Sequence, residues 1–358
     1  MGLTGFCIYR FRETKSLSIG QFFEMRYSHR FRIIAASLRS ISEMLTNAIG
    51  PAIAVNFFIY FLGLPHKLNF LGLELPTYAL LVASTLILAI IIMWPGGRVA
   101  LLVTDAFQGL ISFPVFVVIA IYVLMSFSWH GEVAPIMLDR APGENFLNPY
   151  DVENLRDFNL FALFVIIFGR VLNRASWIGN DASQCGRTPH EQKMGAVLGT
   201  WRESFAIFMG LLVAILIITF MNHQNFAEEA HEIRQELSAK VLEETVPDAQ
   251  MRMSVNEKVA ALPVQRHEVG VDKPLSRKEN LDTPYMTTVH TALGDSGEAN
   301  YAFQQYKSLY NQMMMPIALR NMLPPGMLGL VCLLMVMLML STDDSRIFNS
   351  SSTICQDV

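Results

Sequence analysis

Long apolar runs alternate with short polar segments along most of this chain. A helix needs about 20 largely apolar residues to cross the hydrocarbon core of a bilayer. Six runs are suited to that role, which predicts an all-α membrane protein built as a multi-span helical bundle. The predicted spans lie near residues 33–63, 76–94, 99–127, 158–180, 197–222 and 325–349.

The polar positions divide the chain into three parts. Residues 1–222 carry the first five spans, residues 223–323 form a polar insertion, and residues 324–358 carry the last span. Within the insertion, 226–244 is charged and helix-prone, and 301–320 has the pattern of a second surface helix. A functional lid is one interpretation of the insertion; we favour a solvated connection between spans for most of it.

A helix start precedes the fifth span. Thr188-Pro189-His190-Glu191 has the pattern of a capping box, with proline at the first helical position. We therefore expect one helix to begin there and to continue into the membrane.

Composition agrees with a membrane protein and argues against several other classes. The chain is 52% hydrophobic and 16% charged, and its mean hydropathy is +0.35. Its four cysteines have no metal-ligand spacing, and no His-Glu pair extends to H-E-x-x-H. Neither a nucleophile–base pair nor a nucleic-acid-binding stripe is evident. We expect neither an enzyme nor a nucleic-acid partner.

The distribution of basic residues predicts the orientation. Residues 1–32 carry six Arg or Lys against two Glu, whereas 128–157 carries two Arg against six Asp or Glu. Under the positive-inside rule the N-terminal segment is cytoplasmic. The expected location is a cell membrane, with residues 223–323 on its extracytoplasmic side.

The last apolar run contains oxygen-bearing side chains, which are costly at membrane depth and often line an ion or substrate path. Leu338, Ser341, Thr342 and Ser345 fall at i, i+3, i+4 and i+7, so they share one helical face. Two hydroxyls and a backbone carbonyl suit a small hard cation. We predict sodium ligation by Leu338, Ser341 and Thr342, with Asp344 and Ser345 in the ion pathway. The alternative is that the hydroxyls bond back to their own helix.

Asp105 is a second candidate for the ion pathway. It lies about two turns, roughly 10 Å, from the inner end of the third span, and Ser341 lies roughly 22 Å from the outer end of the last. In a core roughly 30 Å thick, both reach the same level. A carboxylate there would attract or relay a cation; the alternative is that Asp105 caps a helix start or meets interfacial water.

A candidate substrate cavity comes from polar residues in the fourth and first spans. Arg170 and Asn173 share a helical face, and Arg170 is deep enough to need a partner or a wet cavity. Contact with an anionic substrate is one interpretation. Pairing of Arg170 with Glu43 of the first span is the structural alternative.

Four stretches, taken in order, resemble the sodium:solute symporter family, which includes the sodium/glucose and sodium/proline cotransporters. The more specific two are the T-D-x-x-Q segment within 96–111 and the segment 323–357; 18–36 and 177–199 are weak alone. Together they cover most of the membrane portion and leave out 223–300.

The resemblance implies an inverted five-helix repeat of the sodium symporter (LeuT-like) type around a midplane site, here incomplete. It also implies sodium-ligand hydroxyls on Ser341 and Thr342, a carbonyl ligand from Leu338, and an acidic position near the inner cation path at Asp105. The family's first core helix and its ninth and tenth helices have no counterpart, so we expect a partial transporter.

The predicted function is therefore sodium-coupled secondary transport of a small organic solute by alternating access, with sodium co-transported. The expected partners are that solute and membrane lipid. The alternative is a transporter-like sensor or structural membrane protein that binds solute without carrying it. The class of solute and the oligomeric state stay open.

Overall fold

The computed structural model describes residues 5–70, 72–154, 160–176 and 185–358. This part of the chain forms thirteen α-helices. They are α1 (Phe6–Glu13), α2 (Ile19–Arg26), α3 (His29–Phe61), α4 (Thr77–Met93), α5 (Gly97–Ser126), α6 (Ala134–Leu138), α7 (Leu160–Ser176), α8 (Pro189–Asn222), α9 (Ala227–Thr245), α10 (Ala249–Ala260), α11 (Thr283–Leu293), α12 (Gly297–Met322) and α13 (Pro325–Asp357).

A small antiparallel hairpin interrupts the helical pattern between α3 and α4. Strand β1 (Lys67–Phe70) pairs with β2 (Leu73–Pro76), and Gly72 in the turn has a positive φ of 83°. The sequence did not predict this hairpin, because strands of four residues carry too short an alternation to be distinguished from helix ends.

Four helices, α3, α5, α8 and α13, are long and apolar enough to cross a membrane. They contain 30 to 34 residues each, and 30 residues of helix extend about 45 Å, more than a hydrocarbon core of about 30 Å. The chain is an all-α membrane protein.

One of the other two predicted spans is shorter than expected. Helix α4 contains 17 residues, or about 25 Å, which is less than the hydrocarbon thickness; 17 residues of α7 are described. Helix α4 stops before the tight turn at Pro95-Gly96, and Gly97 has a positive φ of 49°. The predicted range 158–180 extends beyond α7 into residues outside the described part of the chain.

Side-chain caps define the starts of two membrane helices. The Thr188 hydroxyl accepts a hydrogen bond from the Glu191 N–H at 3.2 Å, which confirms the predicted N-cap; the Glu191 carboxylate accepts in return from the Arg187 N–H at 2.9 Å, one residue before the position that a capping box uses. The Ser28 hydroxyl accepts from the Phe31 N–H at 3.2 Å and starts α3. Each cap satisfies one of the backbone donors that a helix leaves free at its first turn.

Helix α13 is central to the membrane portion, where it packs against α3, α5 and α4. At its last turn, Oδ1 of the buried Asp357 accepts a hydrogen bond of 2.7 Å from the Ser18 hydroxyl and pairs with Arg32 at 3.1 Å. The C-terminal end of α13 is thus held against the start of α2 and the first turn of α3.

The insertion is a packed unit and more than a solvated connection. The predicted helix at 226–244 is confirmed as α9. Helix α12 covers the predicted 301–320 segment, but its Tyr306 and Tyr310 are fully buried rather than on the surface. Their side chains share a core with α9, α11 and the ends of α3 and α8, because aromatic side chains gain most when buried.

One buried cation ties this unit to the membrane helices. Arg234 of α9 is 1% exposed; its Nε donates to Oδ1 of Asp282 at 2.7 Å and its Nη2 donates to the Met221 carbonyl of α8 at 2.7 Å. Burial lowers the Arg234 pKa, but the Asp282 carboxylate outweighs it and the pKa is raised. Tyr310 also donates to Asp282 at 3.3 Å, so the cluster is paired as buried charges require.

Candidate functional site

The middle of α13 presents polar side chains to two neighbouring helices. The helix is continuous from Pro325 to Asp357, so Ser341 and Asp344 share a face three residues apart. Asp343 lies toward α3, where its Oδ1 is 4.0 Å from the position that a Cβ on Gly50 would occupy.

Ser341 contacts Asp105 directly. Its hydroxyl donates to Oδ1 of Asp105 in α5 at 2.5 Å, and both side chains are partly buried. The depth argument from the sequence predicted these two residues at one level, and in the structure their side chains meet. Helices α5 and α13 are therefore joined by a carboxylate–hydroxyl pair among apolar side chains.

Asp344 lies beside this pair and is the most strongly desolvated carboxylate of the cluster. Its residue exposure is 0%, and neither carboxylate oxygen has a hydrogen-bond partner within the described chain. The N–H and hydroxyl of the neighbouring Ser345 interact with the carboxylate without meeting hydrogen-bond geometry, and the negative charges of Asp105 and Asp343 act on it. A carboxylate in this position is uncompensated unless a cation or a proton joins it.

Asp343 has only partial compensation. It is 4% exposed, and its Oδ2 has no hydrogen-bond partner among the described residues. The positive charge of Arg346 acts on it, and both side chains lie near Gly50 of α3.

Two further oxygens of α5 extend the cluster, and the sequence reasoning did not single them out. Gln108 and Ser112 lie three and seven residues after Asp105, on the same helical face. Gln108 Oε1 and Ser112 Oγ are buried and have no hydrogen-bond partner within the described chain. The T-D-x-x-Q pattern already contained Gln108, so the spacing from Asp105 was the signal that could have identified it.

Two of the three predicted sodium-ligand oxygens, those of Leu338 and Thr342, lie next to each other, whereas the third, the Ser341 hydroxyl, is directed to Asp105. The Thr342 hydroxyl donates to the Leu338 carbonyl at 2.9 Å, which is the back-bonding alternative considered from the sequence. Leu338 is 40% exposed and Thr342 is exposed too, whereas Ser341 turns inward and Ser345 is half-buried. The predicted residues do share one helical face. Of the three predicted ligands, only Ser341 turns toward the interior, and the buried oxygens beside it belong to Asp344 and to residues of α5.

The candidate substrate cavity is not assembled by the described residues. Glu43 pairs with Arg39 at 2.9 Å and accepts a hydrogen bond from the Ser350 hydroxyl at 3.3 Å. Asn47 in turn donates to Ser350 at 3.3 Å. Glu43 therefore joins α3 to α13, and its alternative pairing with Arg170 stays a prediction.

Arg170 is exposed on α7. Asn173 lies one turn later in the same helix, and its side chain is outside the described part of the chain. Their predicted contact with a solute stays a prediction.

The cluster formed by Asp105, Ser341 and Asp344 can act as a hard-oxygen cation site. It offers two carboxylates and a hydroxyl in a desolvated setting, where electrostatic interactions are stronger than in water. Across the described residues, no three His, Cys, Asp or Glu side chains converge as a metal-binding group. The oxygen donors of the candidate site are instead two carboxylates and one hydroxyl, which are ligands that suit an alkali cation.

A scan of the chain against protein-family models found no matching family, and searches of curated proteins and of solved structures found no match. Membership of the sodium:solute symporter family accordingly stays a prediction from the sequence motifs.

Proposed function

We propose that this protein is a sodium-coupled transporter of a small organic solute, and that sodium binds between α5 and α13 at Asp105, Ser341 and Asp344. The observation that carries the proposal is the Asp344 carboxylate, which is fully buried with both oxygens unpartnered among the described residues. The sequence resemblance to sodium:solute symporters supports the same assignment.

Electrostatics favours an occupant at this position. Burying an ionised carboxylate costs several kcal/mol after relaxation, and leaving it unpaired is strongly destabilising. Asp105 adds a second negative charge close to Asp344. A sodium ion between the two carboxylates would offset both desolvation and repulsion, and the Ser341 hydroxyl would add a neutral oxygen ligand.

The site lies where sodium could couple two helices. A ligand shifts a conformational equilibrium only by its difference in affinity for the two states. Because the ligands come from both α5 and α13, separation of the two helices would disrupt the site. Sodium would therefore bind more tightly to the state in which the helices are packed together. We assign the packing of α5 against α13 to the sodium-bound, outward-open state. Solute binds to that state, and its binding then permits closure and inward release.

Further buried polar oxygens lie on either side of the site. Gln108 and Ser112 follow Asp105 toward the C-terminal end of α5, and Ser350, bonded to Asn47 of α3, follows Asp344 toward the C-terminal end of α13. Each carries an oxygen that can replace water around a moving cation.

Sodium-dependent thermal stability of the purified protein tests the site. A ligand that binds only the folded state stabilises it in proportion to RT ln(1 + [L]/Kd). We expect sodium chloride to raise the melting temperature above choline chloride at equal ionic strength. Asp344→Asn should weaken the sodium midpoint by about tenfold or more, a loss of at least about 1.4 kcal/mol.

Thr342→Val is the matched control, since the Thr342 hydroxyl is exposed and bonds to its own helix. It should leave the sodium midpoint unchanged. Equal sodium dependence in wild type and Asp344→Asn would overturn the site. Stabilisation that follows pH and ignores sodium would replace sodium with a proton as the neutralising ion.

Uptake into vesicles separates transport from the second candidate function, a membrane protein that binds without carrying. The exposure of Leu338 and Thr342 favours that candidate, because these two residues of the predicted sodium-binding face are not covered by another described helix. Solute uptake driven by an inward sodium gradient supports the transporter. Sodium binding that drives no uptake from a panel of sugars, amino acids, carboxylates and vitamins supports the binding protein.

A further inference from the structure

The corner between α2 and α3 exposes an unusual combination of side chains. All seven residues from Met25 to Phe31, which we call the α2–α3 corner, are exposed. Met25 is 59% exposed, Tyr27 61% and Phe31 43%. Contiguous exposed apolar side chains indicate a surface that contacts another molecule or a membrane.

Aromatic rings form a connected group at this corner. The ring centroids of Tyr27 and Phe31 are 5.0 Å apart, and both rings contact Phe23, at 6.3 Å and 5.4 Å respectively. Such spacings stabilise aromatic pairs. The group is therefore an ordered feature of the surface.

Two cations flank the rings without a carboxylate to neutralise them. Arg26 and Arg30 are exposed, and neither forms an ion pair within the described chain; Arg26 lies over the Tyr27 ring at 6.0 Å. The nearby acid, Glu24, is already paired with Arg32 at 2.5 Å and with His29 at 3.0 Å. The corner consequently carries uncompensated positive charge.

The corner lies at the entrance of a membrane span. Helix α3 begins at His29 and is one of the four helices able to cross a membrane. Its exposed Ile34 and Leu38 continue the apolar surface away from Phe31. Aromatic rings concentrate at the membrane–water boundary, and basic residues there attract anionic headgroups.

We infer that the α2–α3 corner binds the headgroup of an anionic phospholipid in the leaflet on the side of the N-terminal segment. Arg26 and Arg30 contact the phosphate, and the Tyr27 and Phe31 rings lie at the level of the headgroup and upper acyl chain. This inference is independent of the proposed transport activity.

The chemistry distinguishes this partner from a neutral lipid and from free phosphate. A zwitterionic lipid carries no net charge to balance two arginines, so it lacks the electrostatic gain. Inorganic phosphate satisfies the arginines but leaves the rings and the apolar strip of α3 uncovered. An anionic phospholipid covers both.

Spin-labelled lipids test the inference on the whole protein reconstituted in phosphatidylcholine vesicles. We expect spin-labelled phosphatidylglycerol to be enriched several-fold over spin-labelled phosphatidylcholine in the motionally restricted layer around the protein. The double variant Arg26→Gln, Arg30→Gln should reduce that preference several-fold and leave phosphatidylcholine association unchanged. High salt should reduce it too.

Arg10→Gln is the matched control, because Arg10 lies in the same N-terminal segment and is already paired with Glu13 at 2.7 Å. It should keep the full preference. A wild-type protein without preference for the anionic lipid, a double variant that retains it, or an equal loss in Arg10→Gln would each overturn the inference. So would full displacement of the anionic lipid by inorganic phosphate of equal ionic strength.

Discussion

The carboxylate of Asp357 packs directly on the backbone of Gly20. A Cβ built on Gly20 would lie 2.4 Å from Cγ of Asp357 and 2.6 Å from each carboxylate oxygen. The last turn of α13 thereby meets the first turn of α2, where free backbone N–H groups favour a negative charge. Only glycine leaves room for this contact.

Gly20→Ala should therefore destabilise the protein by about 1–3 kcal/mol, the usual cost of overpacking a tight contact. Thermal unfolding in detergent measures the loss. Gly329→Ala in α13 is the control, since nothing lies within 4 Å of its Cβ position; it should be neutral or slightly stabilising. Equal melting temperatures for wild type and Gly20→Ala would contradict the contact.

Asp105 and Ser341 should behave as one unit. In a double-mutant cycle with Asp105→Asn and Ser341→Ala, we expect a coupling of about 0.5–3 kcal/mol in stability, because the two side chains share a hydrogen bond of 2.5 Å. A second cycle with Ser341→Ala and Thr342→Val is the control, because it measures the coupling of Ser341 to a residue that lies outside the contact with Asp105. Additive effects of Asp105→Asn and Ser341→Ala would show that the bond contributes nothing.

Removal of the buried Arg234 should unfold or loosen the insertion. Arg234→Ala leaves Asp282, which is 30% exposed, without its cation and should cost about 1–3 kcal/mol. Arg266→Ala is the control. It breaks the ion pair with Glu228, in which the Arg266 side chain is 67% exposed and the Glu228 side chain 64% exposed, and it should cost about 0–1 kcal/mol. Amide hydrogen exchange of α9 and α11 measures the loss of stability in each variant. Similar exchange rates in Arg234→Ala and Arg266→Ala would refute the prediction.

Alkaline pH should weaken the insertion through its buried phenols. Burial raises the pKa of Tyr285 from 10.0 to about 12, so between these pH values the unfolded state has lost a proton that the folded state keeps. Stability is then fully present below pH 10 and falls as the pH rises toward 12.

The comparison of Tyr285→Phe with wild type isolates this effect. The variant should lose less stability than wild type between pH 10 and 12, as followed by thermal melting. Tyr150, which is 92% exposed, is the control position, and Tyr150→Phe should follow the wild-type curve. A Tyr285→Phe curve parallel to wild type would exclude this phenol as the titrating group.

Much of the secondary structure was predictable because local patterns carry it. The Thr188 N-cap, α9 and the position of α13 follow from side chains within a few residues of one another. The buried face of α12 was not predictable, since its tyrosines are buried by α9 and α11, which are distant in sequence.

The candidate site shows the same division more sharply. Helical periodicity placed Leu338, Ser341 and Thr342 on one face, and depth counting placed Ser341 level with Asp105. Periodicity does not say how a helix is rotated toward its neighbours, so it did not distinguish the exposed Thr342 from the buried Asp344. Gln108 and Ser112 likewise became relevant only when α5 was packed against α13.

By itself, the sequence determined that this is a helical membrane protein with oxygen-bearing side chains deep in its last span, because hydropathy and residue spacing are properties of single segments. Tertiary structure alone decided which of those oxygens are buried together. Burial depends on the rotation and packing of α13 against α3 and α5, and these are set by contacts such as Asp357 with Ser18 and Ser341 with Asp105, each between residues more than 200 positions apart.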